Sequence, residues 1–252
     1  MTLDLDYFTC GPRGRVLQSV VDAGHNVRRV VAGDPDVWPR VRQSIELSER
    51  LGIPVEIVRK RDLPGLIPSI AGRLVLSVGF GYLFPAALID AAWLIVNVHG
   101  TLLPKYAGAR SLNWIIEQGE RASGVTVHRV DEGMDTGPIL LQRSFAVERF
   151  DTVRSLARKT AEFEPGVVTD ALALIGSGHA EFHPQSHVGV RQFPNRVPEH
   201  SLVDATRPLA ELFDAIRACD DERFPAYFFV DGEKVVIRLQ RSDRAGVPED
   251  LI

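Results

Sequence analysis

Cysteine is nearly absent from the chain: Cys10 and Cys219 are the only two in 252 residues. They are too few and too far apart for a disulfide framework or a cysteine zinc site, so both are expected as reduced thiols. An excess of positive charge is missing as well. Lysine and arginine total 29 against 33 aspartates and glutamates, a net charge of -4, which lacks the basic footprint of proteins held by many phosphates and disfavours a large nucleic acid partner. No apolar run reaches the ~20 residues of a membrane span; the longest, Ala86 to Val98, is broken by Asp90. Met1 to Tyr7 carries Asp4 and Asp6 where a secretory signal carries lysine or arginine, so a cytoplasmic location is expected. G-x-x-x-x-G-K-[ST] and G-x-S-x-G do not occur, which argues against a P-loop NTPase and an α/β-hydrolase. There is no internal repeat and no low-complexity segment.

What is present reads as a folded α/β chain. With 45% hydrophobic and 25% charged residues, it can bury a sizeable core. Short apolar or β-branched runs alternate with amphipathic stretches from Leu3 to Val98, the pattern of βα units winding into a doubly wound, mainly parallel sheet. Strands are expected at Leu3–Thr9, Val27–Ala32, Val55–Val58, Leu74–Val78 and Leu94–Val98, with helices at Val16–Ala23 and Arg40–Leu51. Beyond Gly108 come a helix through Glu117, strands at Gly124–Val130 and Ile139–Val147, and a long helix from Thr152 to Ile175 ending at Gly176. A helix at Leu209–Ala218 and a hairpin about Asp231-Gly232 form a small helix-hairpin tail. The expected division is a core at 1–178, linker and short strands at 179–202, and a small C-terminal subdomain at 203–252.

Ligands of doubly wound sheets bind beyond the carboxyl ends of the strands, which draws attention to residues after Val78 and around Val98. Asn97 and His99 lie two apart at such an end, so both side chains share one face. An amide and an imidazole there can converge on one reacting group; equally, they can be a polar strand end satisfied by loop backbone. Asp131, Glu132 and Asp135 crowd a glycine-rich loop, but their spacing is not that of a calcium loop, and an exposed acidic turn is the plain alternative. His179, His183 and His187 recur every fourth residue, yet Pro184, Gly178 and Gly189 oppose the continuous helix that would align them on a metal. Gly11-Pro12-Arg13-Gly14 is a tight turn at a helix start, able to present backbone N–H groups to an anion, and does not fit the G-x-G-x-x-G dinucleotide fingerprint.

Taken together, the run from Asn97 to Gly108, NVHGTLLPKYAG, and the run from His128 to Gly137, HRVDEGMDTG, resemble the formyltransferases that use N10-formyltetrahydrofolate, in order and in separation. The resemblance is close from about Leu74 to Gln142 and weaker before it. It implies a Rossmann-like core, N-formyltransferase activity, formyl-folate as co-substrate, and no metal. Asn97, His99 and Asp135 match the family's catalytic Asn, His and Asp. Phe80, Gly81, Tyr82 and Leu83 resemble its pterin-side loop, and Asp131, Glu132 and Gly133 the opposite wall. Two departures bear on the acceptor pocket: Gly100-Thr101 stands where the family commonly has Pro-Ser, and Ala109-Arg110-Ser111 replaces a Pro-containing turn.

The tail is similar to that of branches acting on amino groups of nucleotide-linked sugars, so the expected partner is such an amino sugar rather than a nucleic acid or a membrane, in a homodimer. Substrate contacts are expected from Arg13, Thr101, Lys105, Tyr106, Arg110 and Tyr227. The alternatives are an enzyme like methionyl-tRNA formyltransferase, whose branch resembles a longer chain with a further β-barrel, and a non-catalytic folate-binding protein on the same scaffold.

Overall fold

The computed structural model describes residues 1–108, 111–186, 190, 193–242 and 251. The strands are β1 (Asp4–Thr9), β2 (Asn26–Gly33), β3 (Val55–Val58), β4 (Leu74–Val78), β5 (Leu94–His99), β6 (Ala122–Arg129), β7 (Ile139–Ala146), β8 (Ala226–Val230) and β9 (Glu233–Ile237). The α-helices are α1 (Gly14–Asp22), α2 (Arg42–Arg50), α3 (Ile67–Ile70), α4 (Ala86–Ala91), α5 (Leu112–Glu117), α6 (Val153–Ser177) and α7 (Leu209–Arg217). Seven strands make one sheet in the order β3-β2-β1-β4-β5-β6-β7. It is parallel from β3 to β5, while β6 and β7 are antiparallel.

Period-2 alternation explains why this sheet is covered on both faces. Tyr7, Val30, Leu76 and Val96 join the core on the side of α1 and α6. Their neighbours Phe8, Val31, Val75 and Ile95 join a second core with Leu63, Leu66, Ile70 and Leu88. Successive side chains of a strand point to opposite faces, so a strand covered on both sides must be apolar throughout. All five positions of β4 are accordingly buried. The strand order reverses between β1 and β4, the switch point where loops diverge and leave a crevice.

The sequence places the long helix stop at Gly176; the helix runs on, and Gly178 takes the left-handed cap at φ 76°. Gly176 answers a different need, because a Cβ there would lie 3.1 Å from the carbonyl oxygen of Met1. The expected Arg40–Leu51 helix starts later, after a 3-10 turn at Pro39–Val41. Short α3 and α4 in the two later crossovers were not expected. At the tail, α7 packs Leu212 and Ile216 with Val203, Cys219 and Ala226, and Phe228 and Ile237 of the β8–β9 hairpin lie against this cluster. Arg217 ties it to the core by donating to the backbone oxygen of Asp151 at 2.7 Å. No helix among the described residues is long and apolar enough to cross a membrane.

Candidate active site

Strand register assembles the site. Ser77 of β4 lies beside Asn97 of β5, and Asn97 beside His128 of β6. The Ser77 hydroxyl donates to Asn97 Oδ1 at 2.8 Å, which turns the Asn97 amide nitrogen toward His128 Nε2 at 3.1 Å and Asp135 Oδ1 at 3.4 Å. His128 Nδ1 lies 3.0 Å from the Arg129 backbone oxygen, which can only accept. In the neutral ring that nitrogen carries the proton, and Nε2 is left to accept from Asn97.

Asp135 reaches the same point from the β6–β7 loop, in the left-handed region at φ 56°. One carboxylate oxygen accepts the Gly108 N–H at 2.9 Å and lies 3.4 Å from His99 Nδ1. The other lies 3.5 Å from His128 Nε2. His99 Nε2 is 3.0 Å from the backbone oxygen of Tyr106, so both His99 nitrogens face acceptors, and only the imidazolium satisfies both contacts at once. Burial pushes the Asp135 carboxyl up, but the hydrogen bond that His128 donates from Nε2 when its ring is protonated, the charge of His99 and the Gly108 N–H outweigh it and hold the group well below the usual carboxylate range. The 3.4 Å contacts are long for hydrogen bonds. Their hydrogens, on Asn97 Nδ2 and His99 Nδ1, are weakly held and available to a new acceptor.

These side chains border a cavity of about 1210 Å³. Phe80, Gly81, Tyr82 and Leu83 line it on one side and Asp131, Glu132 and Gly133 on another. Trp38 also lines it, with its indole N–H donating to the Tyr82 hydroxyl at 3.0 Å. Asp131 Oδ1 is already committed to Gly133 N and the Thr136 hydroxyl, so it shapes its own loop. Arg13 lines the cavity and pairs with Glu164 at 3.0 Å. Burial raises the Glu164 carboxyl, and the Arg13 charge opposes this only in part.

Four expected substrate contacts lie outside the cavity lining. Thr101 is 1% exposed, and its hydroxyl is turned onto the Tyr106 backbone oxygen at 3.2 Å. Lys105 is exposed and paired with Glu120 at 3.5 Å. Tyr106 is buried, its ring stacked on Phe193 and its hydroxyl donating to Glu120; its backbone oxygen is what meets His99. Tyr227 sits on the hairpin under the Lys234 ammonium at 3.8 Å. Arg110 and His187 lie outside the described residues. Sequence reasoning did not single out Ser77, His128, Gly108 or Glu164. His128 was visible inside the second motif, but its pairing with Asn97 needs the antiparallel register. Burial pushes the Cys10 thiol up to about 11, a protonated group of low reactivity. Among the described residues no group of three or more His, Cys, Asp or Glu side chains is placed to hold a metal ion.

The pattern that defines the formyl transferase family matches residues 47–172. The methionyl-tRNA formyltransferase of Koribacter versatilis is 33% identical over 222 residues, 82% of this chain and 71% of that one. Among solved structures, a sugar N-formyltransferase from Shewanella matches with a TM-score of 0.73 at 19% identity, over 94% of this chain and 97% of that chain. WlaRD, a sugar 3N-formyltransferase solved in the presence of dTDP and 5-N-formyl-THF, matches with a TM-score of 0.70 at 20% identity, over 93% of this chain and 85% of that chain.

Proposed function

The chain belongs to the formyl transferase family and is a formyl-transferring enzyme; from that premise we propose that it transfers the formyl group of N10-formyltetrahydrofolate to the amino group of a nucleotide-linked amino sugar. The folate supplies the formyl carbon. Attack by an amine builds negative charge on the formyl oxygen, so donors fixed at that oxygen stabilise the transition state. The Asn97 amide and the His99 imidazolium are those donors. Asp135, held as the free carboxylate, is a weak base at rest and acts first as the counter-charge of His99. As the His99 charge is drawn to the oxyanion, the proton affinity of Asp135 rises. This is the moment at which the amine proton must leave, to Asp135 directly or through water; the adduct then collapses by breaking the bond from the formyl carbon to N10, and N10 takes up that proton as tetrahydrofolate leaves.

The observation that carries the acceptor reading is the cavity itself. Its 1210 Å³ exceeds the ~300–1,000 Å³ of a pocket for one small ligand, so two can be held together. The Phe80–Leu83 loop with Trp38 gives the cavity aromatic lining and Asp131 to Gly133 add polar lining, which suits a flat pterin with hydrogen-bonding edges. Arg40, Arg50 and Arg223 line the same cavity, with no ion pair to them among the described residues, and can meet a diphosphate. Arg223 belongs to the turn after α7, so the tail reaches the acceptor space through that turn rather than through Tyr227. Exposed Phe229 and Val236 lie on the hairpin face turned away from Phe228 and Ile237 and support a homodimer built on that face, because exposed apolar patches mark interaction surfaces. Sedimentation of the wild type and Phe229→Glu tests this; the same species for both excludes the hairpin as the interface.

Sequence kinship with methionyl-tRNA formyltransferases favours a second reading, in which an aminoacyl-tRNA is the acceptor. A net charge of -4 does not decide against it, since net charge says nothing of where the basic side chains sit. The deciding experiment incubates the protein and N10-formyltetrahydrofolate with a panel of nucleotide-linked amino sugars and with methionyl-tRNA, side by side at matched ionic strength. A mass gain of one formyl group on a sugar supports the proposal; formylation of the tRNA alone overturns it, and formyl-folate left intact with every acceptor points to the non-catalytic binder.

A further inference from the structure

Asp135 holds a conformation that side-chain-bearing residues rarely adopt, φ 56°, on a loop between two strands, so its carboxylate depends on whatever fixes that loop. Its own contacts to His99, His128 and Asn97 are long, 3.4 to 3.5 Å. The carboxylate has one short contact, the Gly108 N–H at 2.9 Å, and the other short contacts are to the main chain of the loop. His183 and Ile139 exchange a pair of backbone hydrogen bonds, each 2.8 Å, an antiparallel bridge at the first residue of β7. Antiparallel pairing sets residue 185 opposite residue 137. From there the Gln185 amide nitrogen donates to the backbone oxygens of Asp135 at 2.8 Å and of Gly137 at 2.7 Å. Two carbonyl acceptors fix which end of the amide faces the loop, and both amide hydrogens are used. The Gln185 Oε1 is buried with no hydrogen-bond partner among the described residues.

We propose that Gln185 is a positioning residue for formyl transfer: its two hydrogen bonds to main-chain oxygens hold the Asp135 loop in the left-handed conformation that brings the carboxylate to His99 and Asn97. The proposal rests on the reading of Asp135 as part of the catalytic machinery. Gln185 does not line the cavity and acts only through the loop.

Three variants test it against wild type and D135N, with kcat, KM for the formyl donor, melting temperature and the pH dependence of kcat as readouts. Q185L keeps bulk and loses both donors. Its kcat should fall about 10- to 100-fold, the order of a misplacement near 1 Å, while KM for the donor moves less than about threefold and melting shifts little. Q185N keeps the donors on a shorter arm and should recover part of the loss. Q185E sets a carboxylate against two carbonyl oxygens. It should be slowest at alkaline pH and regain activity toward acid, where its protonated form has one O–H to donate, a response that loss of packing alone would not produce. Should Q185L fail to fold, the Q185E pH response carries the test. Near-wild-type kcat in Q185L or Q185E, or losses that simply follow melting temperature, overturns the proposal. An active D135N instead overturns the catalytic reading beneath it.

Discussion

His99 is held between two acceptors, the Tyr106 backbone oxygen and Asp135, and this makes its role separable from its packing. His99→Ala and Asp135→Asn should each lower kcat by ~10²-fold or more, the usual effect of losing an oxyanion donor or its support, with melting temperatures near wild type; near-normal turnover in either would remove that residue from the chemistry. Because its surroundings hold Asp135 well below the usual carboxylate range, the group stays ionised through mild acid. Its depressed value makes a contribution to stability that is complete above the unfolded carboxylate pKa of ~4 and is lost only as pH falls further, through the folded value. The side-chain carbon resonance of Asp135 in isotope-labelled protein should therefore stay flat from pH 8 down to about 4. A midpoint in the ordinary carboxylate range would contradict the geometry of its three donors.

At the scale of elements, the β4 loop lies so close to Trp38 that residue 81 has no room for a side chain: a Cβ there would come within 2.4 Å of the indole ring. Gly81→Ala must push Trp38 away from its Tyr82 partner, at ~1–3 kcal/mol for overpacking. Lower melting temperature and weaker binding of formyl-folate, read by tryptophan fluorescence, are the expected outcome; unchanged binding would show that this wall does not touch the folate. Strands were legible because burial on both sides leaves short apolar runs in them, Tyr7-Phe8 in β1, Val30–Ala32 in β2, Leu74–Leu76 in β4 and Leu94–Val96 in β5, and Asn97 and His99 were legible from their place at a strand end. The Arg13–Glu164 pair was not, its members standing 151 positions apart on elements whose meeting depends on how α1 packs on α6. Thr101, Lys105 and Tyr106 were in the right motif but wrongly aimed. That loop turns its backbone, not its side chains, toward the site.

For the whole molecule, a net charge of -4 combined with arginines at the cavity gives a sharp expectation about ionic strength. With a diphosphate-linked sugar, kcat/KM should fall less than about tenfold between 50 and 200 mM salt, since few phosphates are engaged; an acceptor gripped along six to ten phosphates would lose ~10³-fold or more. The steeper dependence, measured with the better of the two acceptors, would favour the tRNA reading. Arg223→Ala should raise KM for the sugar nucleotide and leave melting unchanged, because the side chain is exposed.

Gln185 grips carbonyl oxygens, which every residue type carries, so the bond from Gln185 to residues 135 and 137 is blind to the side chains at those positions. Position 137 is held to glycine for a separate reason, since a Cβ there would lie 1.9 Å from the Arg129 backbone oxygen, so no side-chain change at 137 is matched by one at 185. Across related chains, pairwise covariation should therefore be silent between position 185 and the loop it holds, even if both are under strong selection. Contact inference that relies on correlated substitutions would overlook the link, and saturation mutagenesis would recover it as few residues accepted at 185, beside a glycine requirement at 137 that comes from the Arg129 backbone oxygen and not from Gln185.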